Sequence, residues 1–357
     1  MNYFYLFVVT FLLALSLTFL IRKFANKIGV VDEPTEDRKI HKKRIPLLGG
    51  LAIFLTFFVV LFFVKEELLL GELSEWHWLG VFAGALVLMI GGYLDDKYEM
   101  KARHAIIFPI IASVLVVVGG VGIEKITNPM GGYIYFDTIK IPILNIHGIW
   151  HCFVLFSDLL IFTWLLGMMY TTKLLDGIDG LVTGVVAIGA FIIFLFTISE
   201  QYYQGDIAIA SIILCAACVG FLVFNWHPAS IFLGEGGSLF LGFILGVLAI
   251  ISGGKIAIAL LVMGIPIMDV VWVIFRRIKE GKNPFKFADK KHLHHRLLAL
   301  GIGQRKTVLV YYLFASGFGL CALFLQSVGK IFALGALIVS MMTIVIFFNY
   351  FDSKNAS

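Results

Sequence analysis

Eleven apolar runs, each long enough to cross about 30 Å of hydrocarbon, leave this chain few alternatives to a bundle of membrane helices. They fall near residues 3–21, 47–64, 77–94, 105–120, 152–172, 181–198, 207–224, 237–252, 256–275, 307–325 and 331–349. A segment placed in hydrocarbon must satisfy its own backbone N–H and C=O groups, so a helix is the expected form of each run. Composition agrees, since 60% hydrophobic and 14% charged residues over 357 positions is unlike a soluble domain. The expected fold class is an all-α polytopic membrane protein of about 11 transmembrane helices, forming a single domain over residues 1–357. No internal repeat, low-complexity segment or linker suggests a second domain. Between helices four and five, Tyr133 to Phe136 and Ile139 to Ile143 alternate among turn-formers, which predicts a small outer hairpin.

The run from Tyr3 to Ile21 has no basic residue before it and no small-residue cleavage site after it, so it reads as a retained span. Arg22 and Lys23 follow at once, which sets the amino terminus outside. The inside loops are then about 22–46, 95–104, 173–180, 225–236 and 276–306, with the carboxyl tail cytoplasmic. These segments and the tail carry 23 of the 28 lysines and arginines, the bias of a multi-pass protein of the plasma membrane. The net charge of +5 therefore belongs to topology and the lipid surface, not to nucleic acid. Cys152, Cys215, Cys218 and Cys321 give no disulfide framework, and the C-x-x-C pair at 215 and 218 lies in an apolar helix as packing residues.

Charged and polar residues of chemical interest gather on the inside loops. The segment KLLDGIDGL places Asp176 and Asp179 among glycines where one apolar run ends and the next begins. Asp95 and Asp96 end the third span in GGYLDDKYEM, and Glu235 sits between glycines in NWHPASIFLGEGGSLF. Gly236, Gly237 and Ser238 open the eighth span, where exposed amides would suit a phosphate. The basic first loop offers Arg38, Lys39 and His41 beside a proline and glycine helix entry. Asp158 has no nameable partner, and Asp269 needs one such as Arg276. His292, His294 and His295, followed by Arg296, suit a diphosphate better than zinc, because structural zinc sites usually add cysteine and both residue types donate to phosphate oxygens. Carboxylates gather metal ions and cations gather phosphates. Together on one membrane face they suggest phosphoryl transfer between a nucleotide-linked donor and a lipid phosphate, with magnesium as the expected metal.

DRKIH with PLLGG, GYLDDKYEM, LLDGIDGL, NWHPASIFLGEGGS, IPIMDVVWVIFRR and DKKHLHHRL together resemble the polyprenyl-phosphate N-acetylhexosamine-1-phosphate transferase superfamily. The HLHHR form resembles its undecaprenyl-phosphate N-acetylglucosamine-1-phosphate transferase branch more than the phospho-N-acetylmuramoyl-pentapeptide transferases of peptidoglycan synthesis. The resemblance implies transfer of an N-acetylhexosamine 1-phosphate, most simply GlcNAc-1-phosphate, from a UDP-sugar to undecaprenyl phosphate. UMP would be released and a cell-surface polysaccharide begun. It implies that Asp95 or Asp96 orients or deprotonates the lipid phosphate, while Asp176 and Asp179 shape the nucleotide and diphosphate site. Asn225 and Phe232 would hold the uracil, and Ser238 would contact the uridine side. Arg38, Lys39, His41, Lys42 and the cluster His292, His294, His295 and Arg296 would grip phosphates. Glu235 and Asp179 would hold Mg2+, or alternatively Mn2+. The implied partners are UDP-N-acetylhexosamine, polyprenyl phosphate and the bilayer, with a homodimer as a further expectation.

Three positions depart from that pattern. Lys173 stands where the superfamily usually shows asparagine, Glu235 replaces the aspartate of an LGD turn, and a lysine often found after the DD motif is absent around His104 and Ala105. An ammonium has three donors and no acceptor, so Lys173 cannot ligate a metal. It can pair with the longer Glu235 or take over part of a metal's charge on the diphosphate. Two readings follow: an active transferase in which Lys173 grips the diphosphate, and a turnover-deficient member that binds lipid phosphate or a partner.

Overall fold

A computed structural model describes residues 2–33, 44–71, 73–128, 131–146, 149–252, 256–281, 292–325 and 327–355. Every apolar run lands on helix. In chain order these are α1 (Tyr3–Ile28), α2 (Gly49–Phe63), the short α3 (Lys65–Leu68), α4 (Glu75–Tyr98), the short α5 (Ala102–Ala105), α6 (Ile107–Val118), α7 (Leu155–Leu175) and α8 (Leu181–Thr197). Then follow α9 (Gly205–Asn225), α10 (Gly234–Ile251), α11 (Ile256–Val262), α12 (Gly264–Lys279), α13 (Leu293–Ala299), α14 (Gln304–Phe324) and α15 (Ser327–Asn355). Among the described residues six helices are long and apolar enough to cross a bilayer by themselves.

The run expected as one helix over 256–275 is instead two, α11 and α12, bent by 77°. Pro266 explains the break, because in the first turn of α12 it has no N–H to extend the hydrogen-bond ladder from α11. Taken as one broken span, the pair makes a seventh crossing segment. The other apolar stretches among the described residues, Gly49–Phe63, Ala102–Val118, Leu181–Thr197 and Val328–Ile344, are of 10–17 residues.

The strands are minor. At one end of the bundle, β1 (Val31–Asp32) pairs with β2 (Ile45–Pro46). At the other end the two expected segments are strands but do not pair with each other: β4 (Tyr133–Tyr135) pairs antiparallel with β3 (Lys125–Thr127), and β5 (Lys140–Ile146) with β6 (Ile149–Val154), so two hairpins stand where one was expected. Asp158 finds its partner there, accepting a 2.8 Å hydrogen bond from the Val154 amide at the start of α7.

The core sits on α9 and α10, and every residue of α10 from Gly236 to Ile250 is buried. By contrast α1 presents Phe4, Tyr5, Leu12, Phe19, Leu20 and Phe24 outward, a surface matched to acyl chains rather than water. Side-chain loss lets the central helices touch by their backbones. A Cβ on Gly50 of α2 would collide with Gly237 of α10, and one on Gly92 of α4 would collide with Gly236. The amides of Gly49 and Gly50 donate to the carbonyls of Phe232 and Leu233 at 2.9 and 2.8 Å, locking α2 onto the segment that enters α10. The expectation of exposed amides at Gly236, Gly237 and Ser238 therefore fails. All three residues are buried, because their small size is used for helix packing.

Candidate active site

Four of the segments singled out in the sequence meet at the end of the bundle where α4, α7 and α9 finish and α8 and α10 begin. The close seating of α4 on α10 brings the end of α4 to the turn before α10. There both carboxylate oxygens of Asp96 face the Glu235 amide, which donates at 3.0 and 3.2 Å. The turn can form only with glycine at 234: its φ is +74°, and a Cβ would press on the Asp96 carboxylate. Asp95, one residue earlier, accepts from the Met100 amide at 2.9 Å with Oδ1, which fixes the chain where it leaves α4.

The end of α7 supplies the cation. Lys173 Nζ lies 2.7 Å from Glu235 Oε2 and 3.7 Å from Asp95 Oδ2, so one ammonium bridges carboxylates from α4 and α10. The pairing of Lys173 with Glu235 expected from the sequence is thus present. Asp176 caps α7, and Asp179 follows within the turn that leads into α8. Asp179 Oδ2 lies 2.6 Å from His227 Nδ1 and accepts from the Ala229 amide at 3.0 Å. The His227 carbonyl in turn accepts from Arg305 Nε at 2.9 Å.

Asp176 has more than a third of its surface open to solvent. Its carboxyl is nevertheless pushed up to about 8, first by the protein packed around it and then by the negative charges of Glu235, Asp96 and Asp179. Water at the open side screens part of that repulsion. A cavity of about 450 Å³ reaches Asp96 from the side of α1, lined also by Ile28, Gly29, Val30, Val31, Glu33 and Lys97 to Glu99.

Asn225 is 4% exposed and its carboxamide is engaged within the protein. Oδ1 accepts from the Gly180 amide and from Thr183 Oγ1, both at 3.1 Å, while Nδ2 donates to the Ile231 carbonyl at 3.0 Å. It joins the DGIDG turn to the loop 226–233. Phe232 clamps that loop to β2, donating its amide to the Pro46 carbonyl at 2.9 Å. Ser238 is buried and donates to the Glu235 carbonyl at 3.1 Å. Arg38, Lys39, His41 and Lys42 lie outside the described residues.

The histidine cluster is divided in its roles. His292 Nδ1 lies 2.9 Å from Asp269 Oδ2, and the Leu293 amide donates to Asp269 Oδ1 at 2.9 Å. Asp269 thus pairs with the start of α13 and not with Arg276, which faces Glu280 at 3.6 Å. His294 is 1% exposed and packs its ring against Gly177, where a Cβ would strike Nε2. Burial and the neighbouring His295 and His292 hold its pKa well below the ordinary imidazole value. It stays neutral. The His295 ring lies 4.2 Å from that of His294, and His295 and Arg296 remain partly exposed.

Sequence reasoning missed His227, Arg305 and Tyr312, whose hydroxyl donates to the Gly180 carbonyl at 2.6 Å. His227 was legible in part, since it sits in the quoted NWHP stretch. Arg305 and Tyr312 belong to α14, far along the chain, and carried no motif.

The residues present do not fit a divalent ion held by Glu235 and Asp179. Among the described residues no three His, Cys, Asp or Glu side chains converge as a ligand set. Glu235 is already paired with Lys173, and Asp179 with His227 and the Ala229 amide.

Residues 78–253 match the model of a family described as glycosyl transferase family 4. The chain is 34% identical over 330 residues to a Bacillus subtilis protein named "Probable undecaprenyl-phosphate N-acetylglucosaminyl 1-phosphate transferase", covering 90% of this chain and 84% of that one. It is 30% identical over 318 residues to decaprenyl-phosphate N-acetylglucosaminephosphotransferase of Mycobacterium tuberculosis, covering 82% and 75%. It is 26% identical over 326 residues to undecaprenyl-phosphate alpha-N-acetylglucosaminyl 1-phosphate transferase of Escherichia coli K12, covering 86% and 79%. With a relative above 30% identity matched along most of its length, and the DD, DGIDG and GEGGS segments falling inside the matched region, the chain belongs to glycosyl transferase family 4.

Proposed function

We propose that the chain transfers N-acetylglucosamine 1-phosphate from its UDP-sugar to a polyprenyl phosphate, releasing UMP. The observation that carries this reading is the convergence of Asp95, Asp96, Asp176, Asp179 and Glu235 at one end of the bundle, where Lys173 bridges Asp95 and Glu235. The relatives' names supply the substrate class. In the reaction an oxygen of the lipid phosphate attacks the sugar-linked phosphorus, and the bond from that phosphorus to the bridging oxygen breaks, so UMP carries away the new charge. Positioning and charge neutralisation suffice for such an exchange. Asp96, beside the cavity on the α1 side, orients the lipid phosphate. Asp176 and Asp179 frame the diphosphate, with Asp179 held in place by His227 and Ala229. Lys173 stands where charge gathers on the diphosphate oxygens. Glu235 and Asp179, paired with Lys173 and with His227 and the Ala229 amide, do not form a ligand pair for the magnesium or manganese that the resemblance implies.

The same proposal puts the site on the cytoplasmic face, with the amino terminus outside and the carboxyl terminus inside. The bias of 23 of 28 basic residues to that side supports it. The ion pair between Lys173 and Glu235 also favours a second reading, a family member that binds lipid phosphate without turnover. Purified full-length protein with UDP-GlcNAc and undecaprenyl phosphate separates the two by UMP release. Release that depends on both substrates is expected. Its absence in EDTA and under every divalent ion would overturn the transferase reading.

A further inference from the structure

We propose that Lys173 is the resident cation of this site, occupying with its ammonium the place between Asp95 and Glu235 that a divalent ion would otherwise take. The inference rests on the phosphoryl-transfer reading. Lys173 Nζ is 2.7 Å from Glu235 Oε2 and 3.7 Å from Asp95 Oδ2, bridging the ends of α4 and α10 from the last turn of α7. A magnesium ion lying between these two carboxylates, about 2 Å from its ligand oxygens, would fall within contact distance of that ammonium. Two cations so close repel, so the positions are mutually exclusive.

Two of the neighbouring carboxylates, Asp96 and Asp179, are already engaged. Both oxygens of Asp96 face the Glu235 amide, and Asp179 Oδ2 is shared by His227 and the Ala229 amide. An ammonium has three donors. Glu235 takes one, Asp95 at 3.7 Å attracts the ammonium without a hydrogen bond, and the Lys173 side chain keeps 26% of its surface open, so a remaining donor can meet an oxyanion. Glu235 and Asp95 therefore act as positioning residues, holding a flexible lysine upright where a diphosphate would lie. An alternative account is a plain structural ion pair that ties α7 to α10 and touches no ligand.

Three measurements on full-length protein in lipid nanodiscs decide between these. In the first, Mn2+ is titrated and followed by its EPR signal. Wild type is expected to show no tight site dependent on Glu235, whereas Lys173→Asn gains one equivalent of Mn2+ bound at least tenfold more tightly. A tight wild-type site that disappears in Glu235→Gln would overturn the proposal. In the second, UDP and uridine binding are measured in EDTA. Lys173→Met, checked for folding by its melting curve, is expected to weaken UDP at least tenfold and leave uridine unchanged. Equal loss of both ligands, or no loss, would also overturn it and leave the structural ion pair. In the third, UMP release by wild type is measured in EDTA. Turnover there supports both the transferase reading and this one, while turnover only with a divalent ion keeps the transferase and removes the resident cation. No turnover in any condition removes the transferase, and the Mn2+ and UDP measurements still judge Lys173.

Discussion

Asp176 shows at a single residue how this site trades stability for charge. Its carboxyl is raised from 3.8 to about 8 by the packing around it and by Glu235, Asp96 and Asp179. A carboxyl whose pKa rises on folding favours the protonated folded state. Its contribution to stability is complete below pH about 4 and is lost as the pH climbs toward about 8. Asp176→Asn removes the charge while keeping the shape. The variant is therefore expected to melt about 2 °C higher than wild type at pH 8, and to match wild type at pH 4, as read by thermal unfolding in detergent. UMP release is expected to fall at least a hundredfold in the same protein. An unchanged melting point at pH 8 would show that open solvent screens the carboxylate ring completely.

At the scale of elements, the site depends on three helices meeting without side chains between them. Gly237→Ala pushes a methyl group into Gly50, so α2 and α10 must separate. Overpacking of this kind costs about 1–3 kcal/mol, and it also moves Glu235 relative to Asp96. The expected outcome is a lower melting temperature together with at least a tenfold loss of UMP release. Gly317 in α14 provides the control, because nothing lies within 4 Å of a Cβ placed there. Gly317→Ala should be neutral or add roughly 0.5–1 kcal/mol, as alanine usually does in a helix. Equal effects of the two substitutions would show that the glycine contacts between α2 and α10 do not set the site. A second element-level contact is His294 of α13 against Gly177. It ties the histidine segment to the DGIDG turn, and explains why a buried neutral imidazole lies beside an acidic turn.

For the whole molecule, the question is which end of the bundle faces which compartment. The described hairpins carry exposed Tyr133, Ile134 and Tyr135 at the end opposite the carboxylates, and Cys152 is exposed there. Cys215 and Cys218 are buried in α9. With the carboxylate end in the cytoplasm, a membrane-impermeant maleimide added to intact cells should label Cys152 and leave Cys215 and Cys218 unreacted. Loss of labelling in Cys152→Ser would assign the signal. Labelling of Cys152 only after the cells are opened would invert the proposed orientation and place the site outside.

The sequence by itself determined that this chain builds helices for a membrane, because eleven long apolar runs admit no other way to satisfy the backbone in hydrocarbon. It also marked the DD, DGIDG and GEGGS stretches, since carboxylates set among glycines between apolar runs are costly unless they do chemistry. The pairing of Lys173 with Glu235 could be anticipated from two compensating departures. Tertiary structure alone decided how those groups are used. Side-chain identity cannot say whether Gly236 and Gly237 open an anion site or pack on Gly50 and Gly92, and the close helix contacts chose the second. Likewise Asp269 met His292 across 23 positions and Asp179 met His227 across 48, because such partners are set by where helix ends arrive and not by local spacing.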